Sequence, residues 1–535
     1  MTGTRPSGNR LTATRRQEDL DRLAVEPVDV LVVGGGVTGV GVALDAATRG
    51  LSVALVEKHD LAFGTSRWSS KLVHGGLRYL ASGDVHLAYE SARERAALMN
   101  SIAPHLVRPL PFVLPFPATS SHADRLKVMA GARAADGLRV AARTEAGLLP
   151  PPRHIGREET MRWVPALKRD GLTGGLLSWD GQLEDDARLV VAIARTAAAF
   201  GVRILTRAAA SSLRRDGATV VDTLTGRSLD IRARAVVNAT GVWADTLEPE
   251  VQLRPSKGTH VVLRAEAMGR PSAALFAPVP GESNRYVFAL PHPDGTLHVG
   301  LTDDAVDERP DVPLPTDGEI DFLLRTFSPL LARPLTRADV VGGFAGLRPL
   351  VASGNASSKT ADLSRRHLVH RSADGVFTVV GGKLTTYRKM AEDTVDALGL
   401  TEAPCRTRTV ALVGAAPRDV LGTVAAPARL VRRYGAEAPE VAALAVADPA
   451  LALPVEGAGG VLGVEFAWGV VAEGALDVED LLERRTRLGL VPADAEAARA
   501  TAEAIFARYA STSPAPAPAP TAAAGTESSA APAGA

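Results

Sequence analysis

The chain has 535 residues, which at about 100–200 residues per folding unit predicts two to four such units. Its 60 Lys+Arg balance 60 Asp+Glu, which argues against bulk electrostatic capture of nucleic acid. The single cysteine, Cys405, excludes a disulfide within the chain and a metal site built from cysteines, and we expect no metal.

Two kinds of membrane-directed segment are not expected. Residues 1–23 are polar and lack the apolar core of a signal peptide. No run of about 18 uncharged apolar residues predicts a helix that spans a bilayer. Attachment to a membrane surface is compatible with this composition.

Strands, helices and loops are predicted before residue 250, and the apolar run at 29–33 is typical of a central parallel strand. A flexible arm that ends in a short helix (1–26) is followed by a strand, a glycine turn, a helix and a second strand (27–60). Next come a loop with a helix near 88–99 (61–118) and an irregular stretch with prolines at 150–152 (119–185). An apolar helix opened by two acidic residues (185–200), a strand (202–205) and a buried strand that runs into Gly241 (233–240) complete this half.

The second half has a different pattern. Its predicted parts are short strands with turns, as in an antiparallel sheet (251–350), a second strand–glycine–helix unit (376–396), an Ala- and Leu-rich helical segment (405–510) and a low-complexity Pro/Ala tail that is expected to be disordered (511–535).

A glycine fingerprint after the first strand predicts a dinucleotide site. Gly34 permits a tight turn, Gly36 lets the backbone approach a pyrophosphate, and Gly39 lets the helix pack close to the strand. The phosphates would lie on free amides at a positive helix end. Glu57 stands 18 residues after Gly39, near the ~20 expected for a carboxylate on the ribose hydroxyl, and it disfavours NADP.

Two further strand ends favour FAD over NAD. The strand at 233–240 runs into Gly241, as in FAD proteins of the glutathione-reductase type. A second turn, with Gly382 and Lys383, precedes a helix whose N-terminal amides can stabilise negative charge on a reduced flavin.

Four clusters are the candidate substrate and flavin contacts, and the first of them is too polar and glycine-rich for a core element. They are residues 64–80, 257–260, 346–350 and 381–388.

With these clusters, the chain resembles the FAD-dependent (aerobic, respiratory) glycerol-3-phosphate dehydrogenase family from about residue 28 through the C-terminal helices. Residues 483–489 resemble that family's C-terminal domain. Arg67 and Trp68 depart from its pattern, because small residues are expected at their positions.

The resemblance implies an α/β (α+β overall) fold in three parts. A doubly wound FAD domain of the glutathione-reductase type is interleaved with an antiparallel-sheet substrate domain over 27–400, and a helical domain covers 401–510. The arm (1–26) and the tail (511–535) complete the chain.

The resemblance also implies roles for individual residues. His260, then His74, are the candidates for the group near the C2 hydroxyl, with Lys383 beside the flavin. The predicted substrate contacts are Arg78, Tyr79, Arg348, Arg365 and Thr386. The predicted cofactor contacts are Gly34, Gly36, Gly39, Glu57, Thr65, Ser66, Ser69, Ser70, Lys71, Leu72, Gly241, Gly382 and Lys383.

Other interpretations stay open for some of these residues. His260 at a strand start fits a hydrogen-bonded structural histidine. Arg366 is an alternative to Arg365 as the phosphate ligand, and Tyr79 fits core packing. Arg348 lies in an apolar context, where a charge requires a partner.

The predicted reaction is oxidation of glycerol 3-phosphate by FAD, with electrons passing to membrane quinone. The resemblance implies a cytoplasmic protein held peripherally on the inner face of the cell membrane, and a homodimer. Three alternatives differ in class: an oxidase that uses oxygen, an amine or 2-hydroxy-acid oxidoreductase, and a non-catalytic flavoprotein that senses a phosphorylated metabolite.

Overall fold

The computed structural model describes residues 7–76, 84–282, 285–351 and 366–511. Its strands, in chain order, are β1 Val28–Val33, β2 Val53–Val56, β3 Leu72–Val73, β4 Val107–Pro117, β5 Arg153–Gly156, β6 Leu172–Leu183, β7 Arg203–Leu205, β8 Ala208–Arg214, β9 Gly217–Asp222, β10 Ser228–Asn238, β11 Ser256–Arg264, β12 Ala274–Pro278, β13 Tyr286–Pro291, β14 Thr296–Gly300, β15 Asp304–Ala305, β16 Val340–Arg348, β17 His367–Arg371 and β18 Phe377–Gly381.

The α-helices surround these strands and then follow them. They are α1 Ala13–Leu23, α2 Val37–Thr48, α3 Val85–Ala97, α4 His122–Ala141, α5 Arg157–Trp163, α6 Asp186–Ala199, α7 Ala244–Leu247, α8 Asp317–Phe327, α9 Tyr387–Leu398, α10 Arg418–Leu421, α11 Ala428–Tyr434, α12 Ala438–Ala443, α13 Gly463–Ala472, α14 Val478–Asp480 and α15 Pro492–Ala510.

The first sheet has the strand order β17-β18-β10-β1-β2-β7. β1 is parallel to both β10 and β2. Its residues are buried on both faces, as a central parallel strand requires. Helices α2, α6 and α9 cover one face, while α1 and the β8–β9 hairpin cover the other. The predicted doubly wound domain is therefore confirmed.

The second sheet has the order β15-β11-β14-β13-β12-β4-β6-β3, with β16 paired to β11 and β5 to β6. Its pairings are antiparallel except for β12 with β4. Helices α5 and α8 pack on one face. This is the antiparallel sheet that the sequence predicts. Beyond both sheets, α11–α15 enclose a separate core around Trp468 and Phe466, which is the predicted helical domain.

Residues 119–185 are not irregular, contrary to the sequence-based prediction. They contain α4, α5, β5 and β6. The Ser121 side chain caps α4 by accepting a hydrogen bond from the Asp124 amide at 3.1 Å. Likewise α8, with a capping box of Thr316 and Glu319, interrupts a segment that is predicted as strands alone.

The described part of the N-terminal arm is packed rather than flexible. Leu20 and Leu23 are buried against the first sheet. Arg16 donates to the Thr206 carbonyl at 2.8 Å and to the Asp222 carboxylate at 2.5 Å. The polar composition of the arm suggested a flexible segment, but charged residues such as Arg16 form ion pairs inside the protein. The predicted disorder after residue 511 lies outside the described residues.

Candidate active site

The glycine fingerprint lies where the carboxyl ends of β1 and β10 meet. Gly34 has φ +115, in the region that favours glycine, and a Cβ there would be 2.5 Å from the Ala239 carbonyl oxygen. A Cβ on Gly39 would be 1.9 Å from the Gly34 carbonyl oxygen. The turn and the first helical turn therefore require glycine at both positions.

The N-terminus of α2 offers amides and a nearby carboxylate. Ser66 Oγ accepts from the Val37 amide at 2.8 Å. The Glu57 carboxylate accepts from the Gly35 amide at 2.6 Å and from the His59 amide at 2.8 Å. Burial raises the pKa of Glu57, although both hydrogen bonds oppose that rise. The loop fits a pyrophosphate on the helix end, with Glu57 near the ribose.

The end of β10 is fixed beside this loop. The Asn238 side-chain oxygen accepts from the Thr240 hydroxyl at 2.7 Å, and its amide donates to the Ala244 carbonyl at 2.9 Å. Gly241, with φ +63, then opens a short helical turn. The two strand ends that favoured FAD in the sequence belong to neighbouring parallel strands, β10 and β18.

The first three polar clusters are in contact. Thr65 Oγ1 donates to the Leu347 carbonyl at 2.6 Å. A Cβ on Gly346 would be 2.7 Å from Trp68 Cβ, so the loop packs directly on β16. β16 in turn pairs with β11, which carries His260 opposite Phe344.

His260 is buried, with 1% of its surface exposed. Ser70 Oγ lies 3.0 Å from its Nε2, and its ring stacks on Phe344 with 4.6 Å between centroids. Its Nδ1 has no hydrogen-bond partner within the described residues. Burial, reinforced by Lys71 and Arg348, lowers the His260 pKa well below its ordinary value, so the imidazole is neutral at pH 7.

Arg348 is half-buried at the end of β16. Its guanidinium donates to Ser256 Oγ at 3.0 Å, to the Asp303 carboxylate at 3.0 Å and to the Thr302 carbonyl at 3.1 Å. The group lies over Gly258, where a Cβ would be 2.2 Å from Nη2. The charge that the sequence expects to need a partner therefore has one, in Asp303.

The fourth cluster follows β18 and contacts α3. Lys383 Nζ donates to Ser91 Oγ at 2.8 Å. Gly382, with φ +71, precedes it. Thr386 is buried, and its hydroxyl donates to the Lys383 carbonyl at 3.3 Å. Thr386 therefore stabilises the turn before α9.

The side chains of Ser69 and Lys71 are directed to the N-terminus of α6. Asp186 accepts from the Ser69 amide at 2.9 Å and from the Ser69 hydroxyl at 2.8 Å. Lys71 Nζ, which is buried, lies 3.4 Å from the same carboxylate. Leu72 pairs with Gln182 in the second sheet. The sequence identified Asp186 only as a helix start. Its contact with the first cluster could have been inferred from Lys71, because a buried lysine needs an acidic partner.

Several predicted residues remain to be placed. Arg78, Tyr79 and Arg365 lie outside the described residues. His74 is half-buried just after β3. Arg366, the alternative to Arg365, is exposed and pairs with Asp84 at 3.0 Å. Phe344 and Asp303 were missed by sequence reasoning, because an aromatic residue in a strand and an acidic turn residue are individually unremarkable.

Comparisons with known proteins match two parts of the chain to protein families. Residues 29–388 match the family described as FAD dependent oxidoreductase. Residues 405–515 match the family described as the C-terminal domain of alpha-glycerophosphate oxidase. FAD is therefore the cofactor of this protein.

Relatives match over nearly the whole chain. Glycerol-3-phosphate dehydrogenase 1 of Mycobacterium tuberculosis is 52% identical over 94% of this chain and 99% of its own length. The mitochondrial glycerol-3-phosphate dehydrogenase of Macaca fascicularis is 34% identical over 90% of this chain and 70% of its own. The structure of the Bacillus halodurans glycerol-3-phosphate dehydrogenase complexed with FAD has a TM-score of 0.70, with 27% identity over 94% of this chain and 96% of that one. The chain belongs to the FAD-dependent glycerol-3-phosphate dehydrogenase family.

Proposed function

We propose that this protein oxidises sn-glycerol 3-phosphate to dihydroxyacetone phosphate and passes the electrons to membrane quinone. The observation that carries the proposal is the 52% identity to a protein named glycerol-3-phosphate dehydrogenase 1, which extends over both sheets and the C-terminal helices. FAD, when bound, supplies the acceptor for the hydride from C2.

Arg348 is the proposed phosphate ligand. A guanidinium presents a planar fork of donors that matches phosphate oxygens. Ser256, Asp303 and the Thr302 carbonyl orient this fork, and Gly258 leaves room beside it. Arg78, Tyr79 and Arg365 belong to the same proposed set on the strength of the family resemblance.

His260 is the proposed base for the C2 hydroxyl proton, and His74 is the alternative. A base must be unprotonated to accept a proton, and the lowered pKa of His260 keeps it neutral. Since the ring is buried, the half-buried hydroxyl of Ser70, 3.0 Å from Nε2, is its proposed link to the substrate. His74 is more exposed than His260, which favours direct contact with the substrate.

Lys383 is the proposed cation beside the flavin. Its ammonium is oriented by Ser91 Oγ at 2.8 Å, and the amides of the turn before α9 face the same strand end. A fixed positive charge stabilises an anionic neighbour most when it cannot reorient.

Helix α4 is the proposed contact with the inner face of the membrane. Among the described residues, no helix is long and apolar enough to cross a bilayer. α4 has 20 residues, of which Ala132 is buried, while Leu126 and Val140 are 67% and 60% exposed. Its four cations, Arg125, Lys127, Arg133 and Arg139, outnumber Asp124 and Asp136, which suits an anionic lipid surface.

The acceptor is tested by following product and peroxide together. With sn-glycerol 3-phosphate and a short-chain quinone under nitrogen, we expect dihydroxyacetone phosphate to form in step with quinone reduction. In air without quinone, we expect little product. Peroxide formed in equal amount to product would instead identify an oxidase, and reaction with an amino or 2-hydroxy acid alone would identify that class.

A further inference from the structure

An aromatic stack runs from Trp68, which contacts Arg487 of the C-terminal domain, to His260. The rings of Trp68 and Phe344 are 5.9 Å apart at an angle of 23°, and those of Phe344 and His260 are 4.6 Å apart at 13°. The guanidinium carbons of Arg67 and Arg487 lie 4.2 and 5.1 Å from the Trp68 ring. Such cation–aromatic contacts are attractive and become stronger when water is excluded.

Arg487 contacts the Trp68 ring, which is the end of the stack farthest from His260. Its Nε donates to the Asp185 carboxylate at 3.0 Å and its Nη1 to the Glu483 carbonyl at 2.7 Å. Arg487 has φ +68, which is unfavourable for a residue with a side chain. Lys71 has φ +55, and its ammonium lies on the neighbouring carboxylate, Asp186. Strained residues that persist in this way cluster at functional sites.

The C-terminal domain also touches the strand that carries Phe344. Leu490 and Val491 pack with Phe344 and Val262 in one apolar cluster. A Cβ on Gly342 would be 2.1 Å from the Leu490 carbonyl oxygen, so the two backbones are in direct contact. The C-terminal segment at 483–491 therefore packs on β16, the strand that pairs with β11 and so with His260.

We propose that the C-terminal segment at 483–491 fixes the orientation of the His260 ring, through Arg487, Trp68 and Phe344. This inference rests on the proposed function, which makes His260 the base. Within the described residues, the His260 ring has one hydrogen bond, to Ser70. A ring with one hydrogen bond can still rotate about it, and contact between two ring faces removes that rotation. Trp68, Phe344 and Arg487 are thus positioning residues.

The environment of His260 predicts a pH effect as well. The charged and titratable groups that act on it are Lys71, Arg348, Asp186, His292 and His298. Burial is the largest cause of its lowered pKa, ahead of Lys71 and Arg348. Removing the Trp68 ring would admit water next to Phe344, and the His260 pKa would rise toward its ordinary value.

The test compares anaerobic flavin bleaching by sn-glycerol 3-phosphate in the full-length holoenzyme and its Trp68→Ala, Trp68→Phe and Arg487→Lys variants. For Trp68→Ala we expect a fall of about 10- to 100-fold in the rate at saturating substrate. KM and FAD content should change little, and the acid limb of the pH profile should move to higher pH. Trp68→Phe should restore most of the rate, and Arg487→Lys should give an intermediate loss.

Arg499→Ala is the control, since Arg499 is a C-terminal-domain arginine paired with exposed Glu479, away from the stack. A Trp68→Ala enzyme with the wild-type rate and pH profile would overturn the inference, as would a rate that falls only in proportion to lost FAD. If Trp68→Ala does not fold, wild-type behaviour of Arg487→Lys would overturn it. Wild-type flavin that glycerol 3-phosphate fails to bleach would overturn the proposed function itself.

Discussion

Burial distinguishes His260 from the exposed histidines of this protein and keeps its imidazole neutral at pH 7, as the proposed role of a base requires. We expect His260→Asn to slow flavin reduction by about 10²- to 10⁴-fold, the usual contribution of a general base, with FAD retained. His370→Asn is the matched control, because His370 lies half-buried on β17 with Glu250 as its partner. Anaerobic stopped-flow measurement at saturating substrate gives both rates.

The rate of flavin reduction should depend on pH in a direction that the His260 pKa determines. Because burial lowers the His260 pKa, the neutral base persists as pH falls, and the reduction rate should stay level from neutral pH through 6.5. A rate that halves near pH 6.5, the ordinary histidine pKa, would mean that a group other than His260 is the base.

At the scale of elements, the turn between β1 and α2 depends on close backbone approach. We expect Gly39→Ala to abolish or severely weaken FAD binding, because its Cβ would be 1.9 Å from the Gly34 carbonyl oxygen. In Gly131→Ala the new Cβ in helix α4 meets nothing within 4 Å, and we expect a gain of about 0.5–1 kcal/mol in stability. Flavin absorbance per protein after purification reports FAD binding in both variants, and the unfolding midpoint in guanidinium reports the stability of Gly131→Ala. Full flavin in Gly39→Ala would contradict the assignment of the loop.

Helix α4 is the element that carries the proposed membrane contact. Leu126→Glu with Val140→Glu places two carboxylates on its exposed face, and we expect loss of flotation with anionic lipid vesicles while activity with a soluble acceptor is kept. Val446→Glu, at a residue 85% exposed elsewhere, is the control. Equal flotation of all three proteins would exclude α4 as the contact.

The elements that the sequence predicted best are those that a short, continuous sequence pattern determines. β1, α2 and Glu57 follow from one glycine fingerprint, and β10 and β18 follow from apolar runs that lead into Gly241 and Gly381. α4 and α8 were missed because their ends are set by caps at Ser121 and Thr316, which composition hides. In the site, the clusters were found, but Asp186, Asp303 and Phe344 approach them only through tertiary pairing.

At the scale of the whole molecule, a buried ionic network joins the C-terminal domain to the loop after β2. Asp60 lies 2.6 Å from Arg484 and 2.7 Å from Arg485, all of them buried. We expect Asp60→Asn to cost about 3–5 kcal/mol, because it leaves two buried cations with one fewer counter-charge. The unfolding midpoint in guanidinium should fall accordingly. Asp477→Asn, which removes a half-exposed partner of Arg207, should cost less than about 1 kcal/mol.

The network also predicts acid sensitivity. Burial alone would raise the Asp60 pKa, but Arg485 and Arg484 outweigh it and lower the pKa to about 2 from 3.8. A carboxyl group whose pKa is lower in the folded protein than in the unfolded chain stabilises the fold at pH values above its unfolded pKa. That contribution is lost as pH falls through the folded pKa. The stability difference between wild type and Asp60→Asn should therefore shrink between pH 3.8 and about 2.

The most direct test of the central claim is the visible spectrum of the purified protein under nitrogen, before and after addition of sn-glycerol 3-phosphate. We expect oxidised flavin bands that bleach on addition, which would establish the cofactor, the substrate and the hydride transfer together. Flavin bands that stay unchanged with glycerol 3-phosphate, but bleach with an amino or 2-hydroxy acid, would contradict the proposed substrate and leave the fold and cofactor standing.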